Sequence, residues 1–136
     1  MISVLSNIQD DICNYADAIS GITGTDVEII DESLMRIAGT GKYRHMLNEN
    51  VAKNGYIYRH VLQVRETVLI KNPGEHPLCQ LCEKHHYCSE MLDLNAPIFL
   101  NNRVIGVIGI ICSTQAQRDT LLSPVSYTHL TLPTTE

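Results

Sequence analysis

The run Val104-Ile105-Gly106-Val107-Ile108-Gly109-Ile110-Ile111-Cys112 constrains this chain most. Its β-branched residues favour a strand, and its nearly unbroken apolar character calls for burial on both faces. A strand buried on both faces sits in the middle of a sheet. It is too short, and interrupted by too many glycines, for the roughly 20 apolar residues of a membrane span. The rest of the chain therefore has to supply neighbouring strands and helices that cover both sides of the sheet.

Those elements are legible on either side. Residues 3–20 read as an amphipathic helix, with Leu5, Ile8, Ile12, Ala16 and Ile19 on one face and Asp10, Asp11, Asn14 and Asp17 largely on the other. Gly21 and Gly24 bracket its end. Val27 and Ile29 alternate with Asp26 and Glu28, and Leu34 to Ala38 follows a polar connection, which predicts a hairpin. A helical turn is expected over 43–48. A helix is expected over 55–65, with Ile57, Val61 and either Leu62 or Val64 facing inward. Residues 67–71 form a third strand, closed by Asn72-Pro73-Gly74. Residues 97–100 form a fourth, joined through Asn101-Asn102 to the long fifth. Ser113-Thr114 caps a last helix with Leu121 and Leu122 inward. The order predicts an α+β fold: a mainly antiparallel five-stranded sheet with flanking helices. Its long connections can enclose a pocket, for which Arg36, Tyr56, Tyr58 and Phe99 are candidate lining residues.

The connection over residues 73–93 is rich in cysteine and histidine. Cys79, Cys82 and Cys88 lie within ten positions, and a Cys-x-x-Cys turn brings two thiolates to one point. His76, His85 and His86 offer imidazole as a fourth ligand. Zinc would lock the loop structurally; an iron–sulfur cluster would make it responsive to oxygen or redox state. A redox thiol pair, Cys79 with Cys82, and inert thiols in a surface loop are the competing readings. Asn95 is a near neighbour but a poor ligand for either metal. His45 and His60 are isolated, and Cys13 belongs with the packing residues of the first helix. Cys112 reaches the loop only if the fifth strand passes beside it. Gly39-Thr40-Gly41 is a loop signal before it is a phosphate signal.

Enzymatic chemistry finds little support. The chain has no Ser/His/Asp set, no useful carboxylate pair and no cofactor fingerprint. Its Cys-x-x-Cys pair does not lead from a strand into a helix start, where a thiol would be activated. A thiol oxidoreductase fragment is the weakest of three functional readings. The net charge of −5 gives no electrostatic reason for this segment to contact nucleic acid or an anionic membrane. Without a signal peptide or a spanning segment, the expected location is the cytoplasm, where thiols stay reduced.

Asp26 to Asp31, Arg36 to Gly41, Asn72-Pro73-Gly74-Glu75-His76, the cysteine loop, Pro97-Ile98 and Val104 to Gly109 occur in one order. Together they resemble the N-terminal sensory domain of clostridial-type sigma-54-dependent transcriptional regulators, over essentially residues 3–122. The resemblance implies a GAF/PAS-like input domain at 1–122, followed in full-length proteins by a AAA+ ATPase and a helix-turn-helix DNA-binding domain. It carries Cys79, Cys82 and Cys88 as a shared set. The family pattern has a fourth cysteine before the Pro-Ile of the fourth strand, where this chain has Asn95 and Ala96. The implied function is sensing of a small-molecule effector, a metal or redox state. The alternative is a metal-stabilised binding domain without switching. Leu5, Ile8 and Ile12 are available to the sheet or to a homodimer.

Residues 124–134 match no helical or strand period, carry no charge, and resemble a translated sequencing-library adapter. Residues 123–136 are therefore expected to be a non-native tail, with the natural chain continuing elsewhere.

Overall fold

A computed structural model describes residues 2–82 and 88–123. His85, His86 and the tail over 124–136 fall outside those residues. The elements are α1 (Val4–Asn7), α2 (Gln9–Thr23), β1 (Asp26–Asp31), β2 (Arg36–Gly39), a 3-10 turn (Gly41–Met46), α3 (Tyr56–Val64), β3 (Val68–Ile70), a second 3-10 turn (Pro77–Cys79), β4 (Leu92–Leu100), β5 (Arg103–Cys112) and α4 (Gln115–Leu122). The five strands form one antiparallel sheet in the order β2-β1-β5-β4-β3. The Val/Ile-rich strand is its centre, as its composition requires.

The two glycines of that strand explain themselves by their spacing. Three apart, they point to opposite faces of the sheet. At Gly106 a Cβ would collide with the Ile30 carbonyl and the Leu5 side chain, so its absence lets α1 lie against the sheet. At Gly109 a Cβ would lie 2.9 Å from Tyr58 Oη and 3.2 Å from Asn95 Oδ1. There the missing side chain opens space for polar groups.

Each face has its own cover. On one, α1 and α2 bury Leu5, Ile12 and Ala16 against Val27, Ile29 and Ile37. The same face continues to α4, where Leu121 meets Leu92, Ile110 and Cys112. On the other, Val61 of α3 packs with Ile30, Leu34 and Val107. Tight turns connect these parts. Asp31 Oδ1 accepts from the Ser33 and Met35 backbone N–H groups at 2.9 and 3.0 Å, and Ser3 Oγ donates to Asp31 Oδ2 at 2.7 Å. That network lets Leu34 take φ 65° and fastens α1 to the β1–β2 turn. Asn101 and Asn102 take φ 51° and 68°, the pair of positive values a two-residue hairpin loop needs.

Several expectations are corrected. The first helix is two helices, broken at Ile8 (φ −124°, ψ 38°). The break turns Ile8 outward to 42% exposure while Leu5 and Ile12 stay buried. The second helix runs through Gly21 and ends at Gly24, whose left-handed φ of 69° closes it. Val64 and Leu122 are exposed, one at the end of each helix's inner stripe. The fourth strand begins at Leu92, not Pro97, so the cysteine-rich connection is shorter than 73–93. Pro97 is tolerated inside β4 because β3 pairs only with Asp93 to Asn95, leaving the side of β4 beyond Asn95 without a β3 neighbour. Among the described residues no helix is long and apolar enough to cross a membrane.

Candidate functional site

The face of the sheet under α3 carries polar residues where a core is expected. Glu28 of β1, Gly109 of β5 and Asn95 of β4 lie side by side in register, with Gly39 of β2 beyond Glu28. Asp93 lies two positions before Asn95 on β4 and so faces the same way. Glu28, Asp93 and Asn95 floor a cleft of about 620 Å³ whose walls come from the first 3-10 turn, the start of α3 and the cysteine-rich connection. That volume lies within the range of small-molecule pockets.

The floor is a hydrogen-bonded network. Glu28 is buried and ion-paired with Arg36, whose Nε donates to Oε2. Tyr58 Oη donates to the other Glu28 oxygen. Arg36 Nη1 also donates to the Met46 carbonyl at 3.0 Å, and its guanidinium lies 5.6 Å from the Tyr43 ring centroid. Tyr43 Oη donates to Glu90 at 3.4 Å. Burial, then the charge of Glu28, pushes the Tyr58 phenol well above its ordinary range. Burial, then the charge of Glu90, raises Tyr43 as well. Both tyrosines therefore remain donors. Loss of water is also the leading cause that raises the Asp93 carboxyl far above its usual 3.8, followed by a hydrogen bond and charge from Glu90. Asp93 keeps its proton at neutral pH, held between two carboxyl groups.

Two atoms on this floor stand apart. Asp93 Oδ1 and Asn95 Nδ2 are buried and have no hydrogen-bond partner among the described residues. Each such atom costs about 1–3 kcal/mol relative to a satisfied one. An arrangement of this cost in a cleft marks a functional site more often than a packing error.

Sequence expectations meet this geometry unevenly. Arg36, Tyr56 and Tyr58 do line the cleft. Phe99 does not: it is 49% exposed at the far end of β4, with the Arg65 guanidinium 5.5 Å from its ring centroid. Cys79, Cys82 and Cys88 all line the cleft. Burial is the main cause that raises the Cys88 thiol. None of the five cysteines is in a disulfide. His76 caps the second 3-10 turn, its Nδ1 accepting from the Leu78 N–H at 3.1 Å. Among the described residues, no group of three His, Cys, Asp or Glu side chains is gathered closely enough to hold a metal ion. Cys112 packs under α4 on the opposite face, and burial raises its pKa to about 11. Cys13 lies on α2 and packs against the core beneath it, with its Sγ 3.6 Å from the Ile37 carbonyl.

Asp93, Glu90 and the role of Asn95 were missed from sequence. The alternation Leu92-Asp93-Leu94-Asn95 was the available signal: two apolar residues for one face and two polar residues for the other.

The sheet order, the helices on both faces and the cleft under α3 define a GAF-like α+β fold. The GAF domain of nlh2 from A. aeolicus, in an inactive state, superposes with a TM-score of 0.63 at 17% identity, over 91% of this chain and 78% of that one. A type II free methionine-R-sulfoxide reductase from Thermoplasma acidophilum superposes with a TM-score of 0.62 at 12% identity, over 90% and 89%. In sequence, the chain is 35% identical over 117 residues to UacR of Escherichia coli K12, named as a uric acid sigma-54-dependent transcriptional regulator. That match covers 86% of this chain and 20% of UacR, so the chain spans about a fifth of its relative's length. No family model matches the chain.

Proposed function

We propose that this chain is the signal-input domain of a sigma-54-dependent transcriptional regulator, and that the cleft under α3 is its effector site. The observation that carries this reading is the buried polar floor: a GAF-like fold places unpaired hydrogen-bonding atoms at the bottom of a cleft of small-molecule size. In the full-length protein, a AAA+ ATPase and a DNA-binding domain would receive the signal. Effector binding would favour one arrangement of the sheet and its covering helices, by as much as the effector prefers that arrangement. The name of the E. coli relative makes uric acid the first compound to supply.

The test is a graft of this chain in place of the matching segment of UacR, read by a sigma-54-dependent reporter. The expected result is transcription that changes when a metabolite pool is supplied, and a response abolished by Asn95→Leu. A folded graft whose output ignores every supplied compound would overturn the reading. Turnover of free methionine sulfoxide by the chain with a thiol reductant would replace it with an enzymatic one.

One observation supports a second reading. Cys79, Cys82 and Cys88 all line the cleft. As thiolates they would hold zinc or an iron–sulfur cluster and tie the connection to the pocket. Metal analysis of anaerobically purified protein tests this. One equivalent per chain, lost in Cys82→Ser, is the expected result of a bound metal, and metal-free protein with a normal effector response excludes it.

A further inference from the structure

The two unpaired atoms on the cleft floor are of opposite kinds. Asp93 Oδ1 is a carboxyl oxygen with no partner among the described residues, and it is open to accept a hydrogen bond. Asn95 Nδ2 is only a donor. Both side chains are more than nine-tenths buried, with 3% and 2% exposure, and both line the same cleft. They stand two residues apart on β4, so they share a face with their Cα atoms roughly 7 Å apart.

This pairing discriminates between ligand classes. A purely accepting ligand, such as a carboxylate or nitrate, would satisfy Asn95 but offer no donor to Asp93 Oδ1, and it would bring negative charge toward Glu28 and Glu90. A purely donating ligand, such as an alkylammonium ion, would satisfy Asp93 and leave Asn95 unpaired. Glu28 cannot help either of them, because Arg36 and Tyr58 already engage both of its oxygens.

Resting on the reading of the cleft as an effector site, we propose that the effector is an uncharged molecule with an N–H donor and a C=O acceptor along one edge. Lactams, cyclic imides and ureides have that edge. The N–H is directed to Asp93 Oδ1 and the C=O to Asn95 Nδ2. A cleft of about 620 Å³ admits a molecule of one or two rings. Gly109 leaves room for Asn95 and Tyr58 to sit side by side beneath it.

The experiment is a titration of the full 136-residue chain, labelled with nitrogen-15 and followed through the Asn95 side-chain amide resonances. The probes are uracil, 1,3-dimethyluracil, succinate and 1,4-diaminobutane. Dimethylation keeps the ring and both carbonyls but removes every N–H. Uracil is expected to move the Asn95 resonances and to bind at least tenfold more tightly than its dimethyl derivative, because a site built around a hydrogen bond rejects an analogue lacking it. Asn95→Leu removes the donor with little change in volume. If its spectrum is dispersed, confirming that it folds, it is expected to bind uracil at least tenfold more weakly. Equal affinity for uracil and 1,3-dimethyluracil would overturn the proposal. So would succinate or 1,4-diaminobutane moving the Asn95 resonances while uracil does not, and that result would leave the cleft standing as an effector site. If none of the four moves them, this ligand class is also overturned, and the cleft is then judged by the reporter response alone.

Discussion

Gly109 is the residue on which the site's shape turns. It lies between Glu28 and Asn95 in the register of the sheet, and a methyl group there would press on Tyr58 Oη at 2.9 Å. The contact is with the end of a side chain, so the backbone can hold its course. Gly109→Ala is expected to fold, to lose about 1–3 kcal/mol in a urea titration, and to bind effector at least tenfold more weakly. Asp93 shows the opposite balance, a residue kept at a cost to stability. Its folded pKa lies above the unfolded value of 3.8, so the folded state binds the proton more tightly. The associated stability is fully present below pH 3.8 and is lost as pH rises toward the folded pKa. Asp93→Asn removes that term. Its urea midpoint is expected to decline less than wild type between pH 5 and pH 8, while effector affinity falls. At this scale sequence reading had partial success. Arg36 and Tyr58 were visible as candidates, whereas Asp93 was hidden because the cysteines beside it drew the fourth strand's start into the loop.

Among the elements, β5 was the most legible, since nine consecutive mostly β-branched residues leave no position except the sheet's centre. The β4–β5 hairpin was equally clear, because two adjacent asparagines accept positive φ. The first helix was less so. Its apolar spacing runs unbroken through Ile8, and nothing in that spacing announces the break, which follows from tertiary demands. α1 has to reach the Asp31 turn through Ser3, while α2 follows the sheet. The last helix is held by a capping box, with Thr114 Oγ1 accepting from the Gln117 N–H at 3.1 Å and Gln117 Oε1 accepting in return from the Thr114 N–H. Gln117 also donates to the Gly24 carbonyl at 3.1 Å, joining α4 to the end of α2. Thr114→Ala is expected to cost about 1 kcal/mol, seen as faster hydrogen exchange in α4 with the cleft unchanged.

The whole molecule divides its work between the two faces of one sheet. One face, under α1, α2 and α4, is apolar and carries most of the packing. The other trades part of its core for carboxyl, amide and phenol groups beneath α3. The division was legible in outline, since the predicted connections were long enough to enclose a pocket. Its chemistry was not, because residues from five separate segments meet there and spacing along the chain does not report such meetings. The central claim is that this polar floor receives a small molecule. The most direct measurement is the melting temperature of the wild-type chain and of Asn95→Leu across a panel of small metabolites. The account predicts at least one compound that raises the wild-type value and leaves the variant unmoved. A panel that shifts both proteins equally, or neither, would contradict it.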